Sequence, residues 1–269
     1  MRVAPFSTLS AIGLAIAVAS GSAAAAPINW DYTVSSAFAT GAGDTTFTSG
    51  AGCQSVSGSA ITWGVCPSGP AGVGRSGIGI SNSPQSGMLT TNGAAQGANT
   101  YTHSNNAVNS GYATLTGATI TATLGLRASG TSDAYVYQTA TYKIRFAETP
   151  NVAGTCAAAS PVGNPCNDIW VLDGSLNKSI DLGGEQYFFS FFASPALATL
   201  PNAVCEAANA DDGCIGFTTI EGQENAVNFL VKVTSTPLVV EVPEPASIAL
   251  LGAGLVGLAG VRRRRQNKA

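Results

Sequence analysis

Ala118-Thr119-Ile120-Thr121-Ala122-Thr123-Leu124-Gly125-Leu126-Arg127 sets an apolar residue at each even position and a polar or small one at each odd position. Successive side chains of a strand point to opposite faces, so this alternation predicts a strand with one face buried. Ser129-Gly130-Thr131-Ser132-Asp133 then supplies a turn. After it the pattern resumes, with Ala140, Tyr142, Ile144 and Phe146 set against Thr139, Thr141, Lys143 and Arg145. Two such runs around a turn predict an antiparallel hairpin or meander.

Outward from this pair, the chain offers more strands and little helix. Residues 169–172 form an apolar run, residues 187–192 hold five aromatics in six positions, and Val227, Phe229, Val231 and Val233 alternate again. Aromatic and β-branched enrichment at these spacings is sheet core. Residues 35–111 are rich in Gly, Ser, Ala, Thr and Asn, with apolar islands at 61–65 and 78–80, and read as short strands in long loops. Residues 196–210 have room for a turn of helix. The expected fold class is all-β: a single antiparallel β-sandwich, jelly-roll-like, flanked by an N-terminal signal peptide and a C-terminal transmembrane sorting helix.

Composition supports an exported protein. The chain has 269 residues, 10% of them charged, with 32 Gly, one His and a formal net charge of −3. The charged fraction is under half of the roughly 25% usual in globular proteins. A single histidine argues against a histidine-based zinc site, and no basic surface is available for nucleic acid. The near-neutral total also hides a division. Between Pro27 and Val242 there are six basic residues (Arg75, Arg127, Lys143, Arg145, Lys178, Lys232) and 14 acidic ones, a net of −8, while most other basic residues lie in the last eight positions.

The two ends read as addresses. Arg2, an apolar run over residues 9–19 and a small-residue tract over 21–26 follow the order of a secretory signal peptide, with cleavage after Ala25 or Ala26 by way of the Sec machinery. At the other end, Val242-Pro243-Glu244-Pro245 precedes an uncharged stretch, residues 246–261, and then Arg262, Arg263, Arg264 and Arg265. A helix over that stretch reaches only about 24 Å, a marginal span. Its arginines favour the cytoplasmic side, which puts the preceding chain outside. The expected organisation is 1–26 signal peptide, 27–241 exported domain and 242–269 sorting segment.

This tail resembles the PEP-CTERM sorting signal of Gram-negative bacteria. The resemblance covers Val242 to Lys268 and implies an exosortase-type membrane protease as partner, with the apolar tail removed near Pro243-Glu244-Pro245. It also implies a bacterium that makes extracellular polysaccharide. Further in, Thr102-His103-Ser104-Asn105 resembles the defining motif of the THxN family within the PEP-CTERM proteins. Ile61-Thr62-Trp63-Gly64 and Arg75-Ser76-Gly77 upstream are similar to that family as well. The THxN resemblance implies a surface β domain with no established activity. Taken alone, Thr102, His103 and Asn105 are a polar cluster that hydrogen-bonds across strands or loops, with ligand contact as the other reading.

Six cysteines occur in the exported part, and an even number in an oxidising compartment reads as disulfides. Separations of 13, 10 and 9 residues favour the local pairs Cys53 with Cys66, Cys156 with Cys166 and Cys205 with Cys214 among the 15 connectivities that six cysteines allow. No C-x-x-C occurs, which argues against redox catalysis.

Catalytic constellations are hard to find. Gly72-Val73-Gly74-Arg75-Ser76-Gly77 matches G-x-G-x-x-G by letter, but Ile78-Gly79-Ile80-Ser81-Asn82-Ser83-Pro84 is not helical and no acidic residue stands where a ribose would need one. No G-x-S-x-G or H-E-x-x-H appears. Acidic residues gather at Asp211, Asp212, Glu221 and Glu224 without EF-hand spacing, so they read as solvated loops; no cofactor or metal is expected, and calcium is the one ion such loops can take. The expectation is a non-enzymatic cell-surface or extracellular-matrix protein associated with extracellular polysaccharide. The alternatives are a carbohydrate- or calcium-binding adhesin-like module, favoured if Tyr135, Tyr137, Trp63 or Trp170 lie exposed along a sheet face, and a secreted hydrolase, which needs two facing carboxylates in a cleft.

Overall fold

A computed structural model of the chain describes residues 28–66, 74–174 and 176–238. Among these, the strands in chain order are β1 (Asn29–Phe38), β2 (Thr45–Phe47), β3 (Ser55–Val56), β4 (Ala60–Gly64), β5 (Arg75–Ser81), β6 (Gln85–Thr90), β7 (Gln96–Asn105), β8 (Leu115–Ala128), β9 (Val136–Ala147), β10 (Asp168–Asp173), β11 (Asn177–Leu182), β12 (Glu185–Ser194), β13 (Ala198–Thr199), β14 (Ile215–Thr219) and β15 (Gln223–Thr234). The single described helix, α1 (Asn202–Ala207), falls within the stretch expected to hold a helical turn.

The strands form two antiparallel sheets. One has the order β13-β14-β10-β9-β8-β1-β6, with β2 added beside β8, and the other has the order β11-β12-β15-β7-β5-β4-β3. The decisive alternating stretch lies in β8, which pairs antiparallel with β9 in the register Thr121 to Thr141 and Leu126 to Val136. β10 continues on the far side of β9, so β8, β9 and β10 form a meander. Ala118, Ile120, Ala122, Leu124 and Leu126 are all buried, as are Ala140, Tyr142, Ile144 and Phe146. All of these but Ala140 merge with Val227, Phe229, Val231 and Val233 of β15 and with Tyr187, Phe189 and Phe191 of β12 into one apolar cluster fed by both sheets. Burial of this area is the main favourable term in folding, at about 25 cal/mol per Å².

The expectation of short strands in long loops over residues 35–111 needs correction at β7, which is ten residues long. The inward positions of β7 carry the reason. Asn99, Tyr101, His103 and Asn105 are buried in alternation with the half-buried Thr100, Thr102 and Ser104. Small and polar residues stand there in place of aliphatic ones, so the period of two survives in the structure and disappears from a hydropathy pattern.

The three disulfides are the local pairs, Cys53–Cys66, Cys156–Cys166 and Cys205–Cys214. Cys53–Cys66 closes the hairpin of β3 and β4, and the other two staple the connections before β10 and before β14. Cys205, wholly buried on α1, packs with Ile169, Val171, Leu200 and Val204 in a second small core. Residues 1–26, expected as a signal peptide, residues 246–261, expected as a C-terminal helix, and the sorting residues lie outside the described residues. Among the described ones, no helix is long and apolar enough to cross a membrane.

Candidate functional site

β7, β5 and β4 are neighbours in one sheet, and this brings the three separated motifs side by side. Ile78 pairs with His103 and Gly77 with Ser104, while Ser76 pairs with Trp63 and Gly77 with Thr62. Arg75-Ser76-Gly77 therefore runs as a central strand, not as a phosphate loop into a helix. Arg75 is buried, and its guanidinium donates to the carbonyls of Cys53 at 2.8 Å and Val65 at 2.9 Å and to the Thr62 hydroxyl. It thereby holds the disulfide-closed loop against the sheet. The Ser76 hydroxyl donates to the Asn106 carbonyl at 2.6 Å, and the Asn106 amide donates to the Arg75 carbonyl at 3.2 Å.

His103 points inward, 2% exposed. Its ring stacks on Trp63 at 5.8 Å and meets Phe146 edge-on at 5.2 Å, with Trp170 at 5.7 Å. Nδ1 shares a hydrogen bond with the Thr219 hydroxyl at 2.9 Å, and Nε2 has no partner. Burial among these rings disfavours the charged imidazolium and lowers the pKa to about 3, so the ring is neutral at physiological pH. Two residues along the same face, Asn105 is wholly buried and its Nδ2 donates to the Thr219 carbonyl at 3.3 Å. Thr219 ends β14 of the opposite sheet, so His103 and Asn105 both tie one sheet to the other through a single residue.

Next to this tie lies a buried acidic cluster. Glu148 follows β9, Asp168 opens β10 and Glu221 sits in the turn between β14 and β15. One carboxylate oxygen from each comes within 4.8 Å of the other two. Trp63 Nε1 donates to Glu148 Oε2 at 2.9 Å, which connects the cluster to the motif strands. The Thr149 amide donates to Asp168 Oδ1 at 2.8 Å, with its hydroxyl at 3.2 Å. The second oxygens, Glu148 Oε1 and Asp168 Oδ2, have no partner, nor does Asn105 Oδ1 or either oxygen of Glu221. The Gly222 amide beside Glu221 gives its hydrogen bond to the Asn105 carbonyl. Desolvation raises the pKa of all three acids; the charge of Asp168 adds to the rise at Glu148, and that of Glu221 at both Glu148 and Asp168. The two ion pairs seen among the described residues, Arg127 with Asp31 and Arg145 with Asp173, involve none of them.

Glu221 is the one member of this cluster that the sequence pointed out, and it stands apart from the acids it was grouped with. Asp211 and Asp212 border a surface hollow beside Glu206, and Glu224 is exposed on β15. Glu148 and Asp168 escaped notice because they lie 20 positions from each other and more than 50 from Glu221. The available signal was an acid flush against a buried run: Glu148 just after Phe146, Asp168 just before Ile169-Trp170-Val171. Of the four aromatic residues that exposure would recommend for carbohydrate contact, Trp63 and Trp170 are in the core, Tyr135 is half-buried and Tyr137 is 59% exposed.

Fold and bridges define a disulfide-stapled all-β domain of two antiparallel sheets with an acidic cluster at the seam. The PEP-CTERM protein-sorting motif matches residues 241–265, where Val242, Pro243, Glu244, Pro245 and Arg262 to Arg265 lie outside the described residues. That motif marks a secreted, surface-exported protein processed by exosortase, a membrane protease. No curated protein matches the chain.

Proposed function

We propose that the chain is an envelope or matrix protein whose β domain does its work outside the cell without catalysis, in association with extracellular polysaccharide. The observation that carries this reading is the sorting motif at residues 241–265. In this reading residues 1–26 direct export through Sec and are removed. The apolar segment 246–261 holds the precursor in the inner membrane, and cleavage near Pro243-Glu244-Pro245 releases residues 27–241 to the surface. The two sheets act as the faces of one sandwich, a reading supported by their common core. Membership in the THxN family is supported by the adjacency of Thr102, His103 and Asn105 to residues 61–64 and 75–77 on three neighbouring strands. A non-catalytic role is supported by His103, whose ring is enclosed by aromatic neighbours and is an unsuitable proton carrier at neutral pH.

The test is the fate of the chain in a strain lacking the sorting protease. Full-length precursor should accumulate in the membrane fraction, and surface protein should disappear. Identical processing in that strain and in the wild type refutes the reading. A second reading, a carbohydrate-binding module, is favoured by one patch: Tyr137 with Tyr135 at 6.1 Å and the Arg127 guanidinium 4.8 Å over the Tyr135 ring. The exposed Tyr137 ring beside a cation is a surface that suits a sugar ring. A glycan array on which the wild type and Tyr137→Ala give the same background signal removes it.

A further inference from the structure

We infer that Glu148, Asp168, Glu221 and Asn105 form a binding site for one calcium ion, which clamps the two sheets together at the end of β7. The site goes beyond the sorting reading and stands or falls independently of it.

Three observations carry this. First, the carboxylate oxygens of the three acids gather within 4.8 Å of one another. Oxygens at roughly 2.3–2.6 Å from a shared calcium ion can be up to about 5 Å apart, so the spacing suits a common ion. Second, the protein fixes one oxygen of each of two carboxylates and leaves the other free. Trp63 and Thr149 hold Glu148 Oε2 and Asp168 Oδ1, while Glu148 Oε1, Asp168 Oδ2 and both Glu221 oxygens have no partner. Donors placed behind a ligand in this way orient it. Third, the neutral side chain of Asn105, 0% exposed, lies within hydrogen-bonding reach of Asp168 and keeps its Oδ1 without a partner. A buried amide oxygen without a donor is costly, and a cation among three acids satisfies it together with them.

The donor chemistry selects the ion. Every candidate ligand is an oxygen, from carboxylate or amide, which suits a hard cation and not zinc or copper. Magnesium keeps several waters in strict octahedral geometry, whereas calcium accepts irregular sets of six to eight oxygens with bidentate carboxylates. A buried cluster with both Glu221 oxygens free fits calcium. Glu148 also borders a groove of about 530 Å³ between β8, β9 and residues 207–209. The effect of binding follows from topology. Glu148 and Asp168 belong to one sheet, Asn105 to the other, and Glu221 to the turn that joins them.

The test uses the full chain purified in chelator-treated buffer. Calorimetric titration with calcium chloride should give one site per chain, and added calcium should raise the thermal midpoint by several degrees. Terbium should luminesce on excitation of tryptophan, given the Trp63 contact with Glu148, and calcium should quench this signal by competition. Glu221→Gln, which keeps the shape of the side chain and removes its charge, should weaken calcium binding more than ten-fold. Asp168→Asn, which keeps the acceptor for Thr149, should do the same and serves where the first variant folds poorly. Asp211→Asn with Asp212→Asn should bind as the wild type. The inference is overturned by a wild type that shows neither heat nor a midpoint shift at 10-millimolar calcium. Undiminished binding in both cluster variants, or binding lost with Asp211 and Asp212, also overturns it, and an equal response to magnesium overturns the choice of ion.

Discussion

Tyr101 on β7 and Tyr142 on β9 face each other across the core, their hydroxyls 3.0 Å apart and both side chains at least 95% shielded from water. Burial raises both pKa values above the ordinary 10, and at Tyr142 the neighbouring Tyr101 adds to the rise. Tyr101→Phe with Tyr142→Phe removes both hydroxyls together, and Ser36, which neighbours both, keeps its hydrogen bond to Asn99 Oδ1 at 2.6 Å. At pH 8 the double variant should lie within about 1 kcal/mol of the wild type, while either single change should cost about 1–2 kcal/mol. The sign of the pH effect follows from linkage. A group whose folded pKa is raised contributes its full stability below the unfolded value, and loses it as pH climbs toward the folded value. At pH 11, one unit above the unfolded pKa, each tyrosine held neutral costs about 1.4 kcal/mol, so the pair costs at most about 2.8 kcal/mol. Urea unfolding followed by far-ultraviolet circular dichroism at pH 8, 10 and 11 measures the difference between the two proteins, and the other tyrosines cancel from it. The double variant should gain on the wild type progressively above pH 10. A difference that is constant from pH 8 to pH 11, or one that moves in favour of the wild type, refutes the argument that this contact is dry and shared between the sheets.

Two further outcomes follow from named contacts. Cys205→Ala with Cys214→Ala opens a bridge of sequence separation 9; the loss should be about 2.7 kcal/mol from loop entropy, seen as a lower urea midpoint at pH 7, and an unchanged midpoint would mean that α1 is held by packing alone. Thr219→Val keeps the shape of a wholly buried side chain but strips the hydroxyl from His103 Nδ1. It should cost about 1–3 kcal/mol in the same assay, and an unaltered stability would show that the cross-sheet tie contributes nothing.

How much could be read in advance varied with the type of residue facing inward. The meander of β8, β9 and β10 and the strand β15 were legible because their buried positions carry Ile, Leu, Val and Phe against Thr, Lys and Arg. β7 was not, because its inward positions include Asn99, His103 and Asn105, and a hydropathy pattern cannot tell a buried polar residue from an exposed one. The same blindness hid the acidic cluster. Glu148 and Asp168 look like strand-end residues of the surface kind, and only Glu221 stood in a group that attracted attention.

Local order along the chain therefore determined what depends on neighbours in sequence: the alternation that makes strands, the cysteine spacings that close short loops, and the Pro-Glu-Pro, apolar and arginine succession read as a linear address. Tertiary structure alone decided what depends on neighbours in space. Strand order laid Trp63, Arg75 and His103 on adjoining strands, set Thr219 of one sheet against Asn105 of the other, and gathered Glu148 from the end of β9, Asp168 from the start of β10 and Glu221 from the turn after β14. The physical reason is that a β-sheet pairs segments by register and burial, not by distance along the chain, so a site built at the seam of two sheets has no linear signature.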